Sequence, residues 1–199
     1  MTTAVIPEEF CDRYIQLCTT PLNTTESIKE QLDLLLSNPL ISDVTFFDDV
    51  ESGYDTLMVG TRAIVVWDRV FQVNRYLGKF IIYLTRKRQG RRWHVEFNLH
   101  NIDSRPSELR TDPYGVDYLV ELKNPHPHMF HEPRIHPRFG EVASLCISIG
   151  GFQVYQALRR GNMHLATELV LQILHSLGPG HAYLNVSCWP VYQPEVHDV

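Results

Sequence analysis

Cysteine is scarce in this chain: Cys11, Cys18, Cys146 and Cys188 are the only four in 199 residues, and no two make a Cys-x-x-Cys pair. That density excludes a disulfide-stapled scaffold and leaves an ordinary reduced protein. Long apolar runs are missing as well. No stretch approaches the roughly 20 residues that cross a bilayer. Met1-Thr2-Thr3-Ala4 has neither the basic start nor the apolar run of a secretory signal, so a cytoplasmic protein without membrane contact is expected. Positive charge is not in excess; the formal balance of −5 argues against a general nucleic-acid binder. Internal repeats and low-complexity tracts are absent. What remains is 44% hydrophobic and 21% charged, the composition of a globular protein, and the length suits one domain with a sizeable core.

Periodicity divides the chain into helical ends and a strand-rich middle. Pro7 to Cys18 is predicted as a short helix: Pro7 suits a first helical position, Glu8 and Glu9 suit the positive end of the dipole, and Phe10, Tyr14, Ile15 and Leu17 recur at helical spacing. Cys11 and Cys18 would pack there as small apolar residues. In a second helix Thr24 or Thr25 is the cap, Ile28, Leu32, Leu35 and Leu36 form the buried stripe, and Asn38-Pro39 is the stop. The runs Leu57 to Trp67, Val70 to Tyr76, Lys79 to Thr85, Trp93 to Leu99 and Val116 to Leu122 are rich in β-branched and aromatic residues. Val95, Phe97 and Leu99 alternate with His94, Glu96 and Asn98, which predicts an antiparallel meander. Between its runs lie a basic hairpin tip, Arg86-Lys87-Arg88-Gln89-Gly90-Arg91-Arg92, and a polar loop from Asp103 to Gly115. Further on, Leu169, Val170, Ile173, Leu174 and Leu177 share a helical face, and Gly178-Pro179-Gly180 ends that helix. The fold class is α+β.

One segment carries chemistry. His136-Pro137 stands ten residues before Cys146, and Ile147-Ser148-Ile149 follows the cysteine. This resembles the catalytic segment of ubiquitin-conjugating (E2) enzymes, in which a His-Pro-Asn triplet precedes the active cysteine by the same interval and an apolar, a polar and an apolar residue follow it. Ala157-Leu158 stands at the offset of the family's Ala-Leu pair; Val154, beside Tyr155, occupies the position of a frequent Trp. Arg138 stands where the triplet has Asn. Gly115 through Leu122, followed by Pro125, Pro127 and Pro133, resembles the family's last strand and its Pro-rich exit, and Leu165 to Leu177 resembles its crossover helix. The two further helices common in eukaryotic members are not expected within these 199 residues, and the resemblance is to compact E2-like proteins of bacterial conjugation or antiviral operons.

The resemblance implies a UBC-like fold in one domain over 1–199: N-terminal helices at about 7–37, a meander at about 43–123, a catalytic segment at about 125–158 and a crossover helix at about 165–177. It implies a transferase that accepts a ubiquitin-like protein from an E1-like activating enzyme as a thioester on Cys146 and passes it to a target protein, with no cofactor or metal. His136 would be structural, its ring bonding backbone to fix the active-site loop. Arg138 would donate to the developing oxyanion through its guanidinium, with Ser144, Ser148, His131 and backbone N–H groups as other donors. Gly140 and Gly150-Gly151 would let a peptide tail approach the cysteine. In this family the activating enzyme docks on the first helix and an early hairpin, which makes Arg13, Lys29 and the basic tip candidate contacts.

Other readings of the same residues stand beside this one. A cysteine between Leu145 and Ile147 is often a packing residue, and an inactive family member or RWD-like interaction module would share the fold. His126, His128, His131 and His136 invite a zinc reading. The His-x-His pair resembles that of JAMM-type deubiquitinases, but Ile147 stands three residues after Ser144 where the acidic ligand belongs. A solvated Pro-rich loop is the expectation there.

Overall fold

Thr25–Ser37 is the first described helix, α1; of the stripe expected of it, Leu32 and Leu35 lie inside the core and Leu36 is half-buried, while the Ile28 side chain lies outside the described ones. The helix stops at Asn38 because the proline that follows disfavours helical backbone at the preceding residue. The Asn38 side chain then accepts from the Leu40 N–H at 2.8 Å and donates to Glu168 at 2.6 Å. The computed structural model describes residues 25–49, 54–89, 92–103, 106–121, 126–127, 134–143, 151–176 and 186–197. The predicted helix from Pro7 to Cys18 lies outside them.

A four-stranded antiparallel sheet is the centre of the fold. Its strands are β1 (Ile41–Asp49), β2 (Tyr54–Thr61), β5 (Phe80–Gln89) and β6 (Arg92–Asn101), in the order β1-β2-β5-β6. The hairpin of β3 (Ile64–Asp68) and β4 (Val73–Gly78) interrupts the meander between β2 and β5. Side chains alternate across the strands, and the register sets Leu57 opposite Leu84, Val59 opposite Ile82, and Phe97 and Leu99 opposite Leu84 and Ile82. This apolar face joins one core cluster with α1, with α2 (Gly151–Arg159) through Val154, Ala157 and Leu158, and with α3 (Met163–His175) through Ala166, Val170, Leu171 and Leu174. The predicted Leu165 to Leu177 helix corresponds to α3, which starts two residues earlier because Asn162 caps it, accepting from the Leu165 N–H at 2.9 Å, and ends at His175; Leu177 and the predicted Gly178-Pro179-Gly180 stop lie outside the described residues. The last described helix, α4, is the short Pro194–His197.

Several boundaries differ from the expectation. Leu57 to Trp67 is two strands joined by a bend, and residues 69–72 form the turn of the β3–β4 hairpin, where Asp68 accepts from the Val70 and Phe71 N–H groups and pairs with Arg75 at 3.1 Å. The polar loop expected from Asp103 to Gly115 contains a strand, β7 (Ser107–Thr111), which pairs with β8 (Asp117–Glu121) as a separate hairpin. The Val116 to Leu122 run therefore does not extend the sheet: Val116, Tyr118 and Leu119 are exposed, as is Leu109 of β7, and Leu122 lies outside the described residues. Arg86 is not part of a solvated tip, since β5 runs past it to Gln89 and its side chain is only 2% exposed. Among the described residues no helix is long and apolar enough to cross a membrane.

Candidate active site

The polar parity of β6 builds the floor of the site. Glu96 and Asn98 project from the face opposite Phe97, beside Thr85 and Tyr83 of β5. Across this floor lies a small antiparallel hairpin of β9 (Arg134–His136) and β10 (Gly140–Val142), joined by Pro137, Arg138 and Phe139. Proline fixes its own φ for a tight turn, and Gly140, at φ 71°, takes the left-handed position that a Cβ would strain. The hairpin is fastened to the open edge of β6. Ala143 and Leu99 exchange both backbone hydrogen bonds, at 2.7 and 2.9 Å, and the His100 Nδ1–H donates to the Glu141 carbonyl at 2.7 Å.

Three rings stack from the sheet upward: Phe139 lies 4.2 Å from Tyr83, and His136 lies 4.5 Å from Phe139, nearly parallel in both cases. Alongside, Arg134 donates to Glu96 at 2.6 Å and to Asn98 at 3.1 Å, while Asn98 itself donates to Glu96 at 3.0 Å. His136 is tied into its own turn, because its Nδ1 accepts the Arg138 backbone N–H at 3.2 Å. That bond requires the neutral Nε2–H tautomer, whose proton faces Glu96 with 3.9 Å between Nε2 and the carboxylate oxygen. Burial lowers the His136 pKa below its ordinary 6.5, Glu96 opposes the shift, and Arg134 and Arg138 add to it. The Arg138 guanidinium carbon sits 5.9 Å from the centre of the Phe139 ring.

A pH dependence follows from the direction of that shift. Below about pH 6.5 the unfolded chain takes up a proton on His136 that the folded turn resists, so this residue's contribution is full above the unfolded value and is lost as pH falls through the lower, folded one. The ring should titrate by NMR with a midpoint under 6.5. The stability of the native chain relative to His136→Gln, from urea melts, should be smaller at about pH 5.5 than at about pH 7.5. A midpoint above 6.5, or a difference that grows on acidification, contradicts the half-buried neutral ring.

Of the residues singled out from sequence, the structure brings His136, Pro137, Arg138 and Gly140 into one turn. Cys146, Ser144, Ser148, His131, His128 and Gly150 lie outside the described residues, as do Cys11, Cys18 and Arg13. Ala143, three residues before Cys146, is pinned to the β6 edge, and Gly151, five residues after it, opens α2. Gly151 is therefore a buried helical residue and not an open backbone position against which a peptide tail could lie. His126 is no solvated loop residue either: it is fully buried, and its Nε2–H donates to the Leu174 carbonyl at 2.9 Å. Among the described residues no group of His, Cys, Asp or Glu could hold a metal ion. The half-buried Cys188 is the described thiol, and burial pushes its pKa up, which lowers its thiolate fraction.

Glu96, Arg134, Phe139 and Tyr83 were not anticipated. Arg134 was the most legible of them, since it stands two residues before His136 in a strand, and period two puts both on one face. Phe139 gave no signal: its ring is placed by Tyr83, a residue 56 positions earlier in the chain. No protein-family model, curated protein or solved structure matches this chain.

Proposed function

We propose that the chain is an E2-like carrier of UBC type, which takes a ubiquitin-like protein from an E1-like activating enzyme as a thioester on Cys146 and transfers it to a target protein. The observation that carries this reading is the His136-Pro137 turn, whose imidazole accepts its own loop's N–H and is stacked onto the sheet through Phe139 and Tyr83. That is the structural role the family resemblance gives to this histidine. It is a brace, not an acid or a base. The antiparallel sheet with helices over its apolar face, and the long helix α3 after the catalytic segment, are in keeping with the same fold.

The chemistry asks little of the site during loading. The Cys146 thiolate attacks the thioester carbonyl, a new C–S bond forms, and the activating enzyme's thiolate leaves, so one thioester replaces another at nearly equal energy. Discharge differs, because an amine attacks, a C–N bond forms as the C–S bond breaks, the Cys146 thiolate leaves, and the amine's proton passes to bulk water, while charge grows transiently on the carbonyl oxygen. There the Arg138 guanidinium is one donor to that oxygen, with Ser144, Ser148, His131 and backbone N–H groups as the others. The competing reading is an interaction module of the same shape without transfer chemistry, and Arg138 in the place of Asn, resting over Phe139, favours it.

Incubation of the full chain with ATP, an activating enzyme and its ubiquitin-like protein is expected to give a larger species on a non-reducing gel, which thiol reductant collapses. A partner set proven active on another carrier, yet giving no adduct here, would transfer the assignment to the interaction module.

A further inference from the structure

The β7–β8 hairpin is the least covered part of the described fold. Leu109 is 63% exposed and Leu119, directly opposite it, is 70% exposed. A lone two-stranded ribbon is marginal in water. At its turn the Asp112 N–H donates to the Val116 carbonyl at 2.9 Å. Because hydrogen-bonded and non-bonded pairs alternate along an antiparallel ladder, Arg110 with Tyr118 and Glu108 with Val120 are then the bonded pairs. The N–H and C=O groups of Ser107, Leu109 and Thr111 consequently point away from β8, along an open edge.

We propose that this edge of β7 pairs antiparallel with the β7 of a second copy of the chain, centred on Leu109. The charges of Ser107-Glu108-Leu109-Arg110-Thr111 invert in sign when the strand is reversed about Leu109, so the strand is self-complementary. Two-fold pairing about Leu109 sets Glu108 of each copy opposite Arg110 of the other, two opposite-charge cross-strand pairs, and sets the outward backbone groups of Ser107, Leu109 and Thr111 against those of the other Thr111, Leu109 and Ser107. It also aligns Leu119, Leu109, and their two counterparts into one apolar row across a four-stranded sheet, burying the leucines that now face water. In the single chain Glu108 and Arg110 satisfy each other on the same strand at 3.0 Å, both about half exposed, so the pairing exchanges partners and strands no charge. The other edge cannot do this. Self-pairing of β8 about Leu119 would set Asp117 opposite Glu121 twice, and like charges directly opposite destabilise a sheet. Symmetry of this kind is what an isologous dimer needs.

An edge of five residues buries less than the roughly 1,200–2,000 Å² of a standard interface, so the dimer is weak and depends on concentration. Sedimentation equilibrium of the full chain should show monomer passing to dimer as concentration rises. Glu108→Arg and Arg110→Glu each convert two attractive pairs into two repulsive ones and should weaken association by about tenfold or more. Both side chains are exposed, and far-UV circular dichroism should show the fold kept. Mixed in equal amounts, the two variants regain complementary pairs, and the dimer should return. Native chain that stays monomeric at about 1 mM, a dimer indifferent to either reversal, or a mixture that fails to associate would each overturn this pairing.

Discussion

Cys146→Ser is expected to turn the reductant-labile adduct into one that survives thiol treatment, and Cys146→Ala to give no adduct at all. A serine oxygen can still attack the activated carbonyl, slowly, but it leaves an ester in place of a thioester, and thiols do not exchange with an ester readily. Alanine offers no nucleophile. Cys188→Ala serves as the internal contrast. Its thiol is half-buried, with burial raising its pKa, so removing it should leave loading unchanged. Mass spectrometry of the tryptic adduct locates the bond. An adduct that persists in Cys146→Ala, or disappears in Cys188→Ala, removes Cys146 from the centre of the chemistry.

Arg138→Ala should slow discharge to a lysine amine by about 10- to 1,000-fold, the range found for deleting a single oxyanion donor, while loading proceeds normally. The hydrogen bond of the brace is kept, because it comes from the backbone N–H of residue 138, which donates to His136 at 3.2 Å and survives the change, while the part of the His136 pKa shift owed to the Arg138 charge is lost. Only the guanidinium is lost. Arg138→Lys keeps a charge without the planar fork and should fall between. Single-turnover discharge measured alongside a thermal melt gives the answer. A rate equal to the native one assigns the oxyanion to backbone N–H groups and makes Arg138 part of the Phe139 packing alone.

The strand β6 was legible residue by residue. Val95, Phe97 and Leu99 turn to the core and Glu96 and Asn98 to the other face, as period two dictates when one face is buried. Helix α3 was legible for a similar reason, its apolar face repeating at helical spacing with Val170, Ile173 and Leu174 buried on it. The hairpin β7–β8 was not. In Ser107-Glu108-Leu109-Arg110-Thr111 four of five residues are polar, and polarity between two prolines reads as loop. It is a strand because β8 is there to pair with it, a fact of proximity that no local pattern contains. Arg86 misled in the opposite direction: five basic residues around one glycine suggest a solvated tip, yet the ladder from Phe80 to Gln89 carries Arg86 inside.

From the order of residues alone came the α+β class, the buried Leu32 and Leu35 of α1, the buried Val170, Ile173 and Leu174 of α3, and the His136-Pro137 pair at its interval from Cys146, since each of these is periodicity or spacing along the chain. The tertiary structure alone decided what surrounds that pair. Glu96 of β6, Tyr83 of β5 and Arg134 of β9 meet His136 and Phe139 because the β6 edge accepts Ala143 as a pairing partner and folds the small hairpin over the sheet's polar face. Burial and charge at a site depend on which distant strands are brought alongside, and so the neutral imidazole at its centre is a property of the fold rather than of the motif.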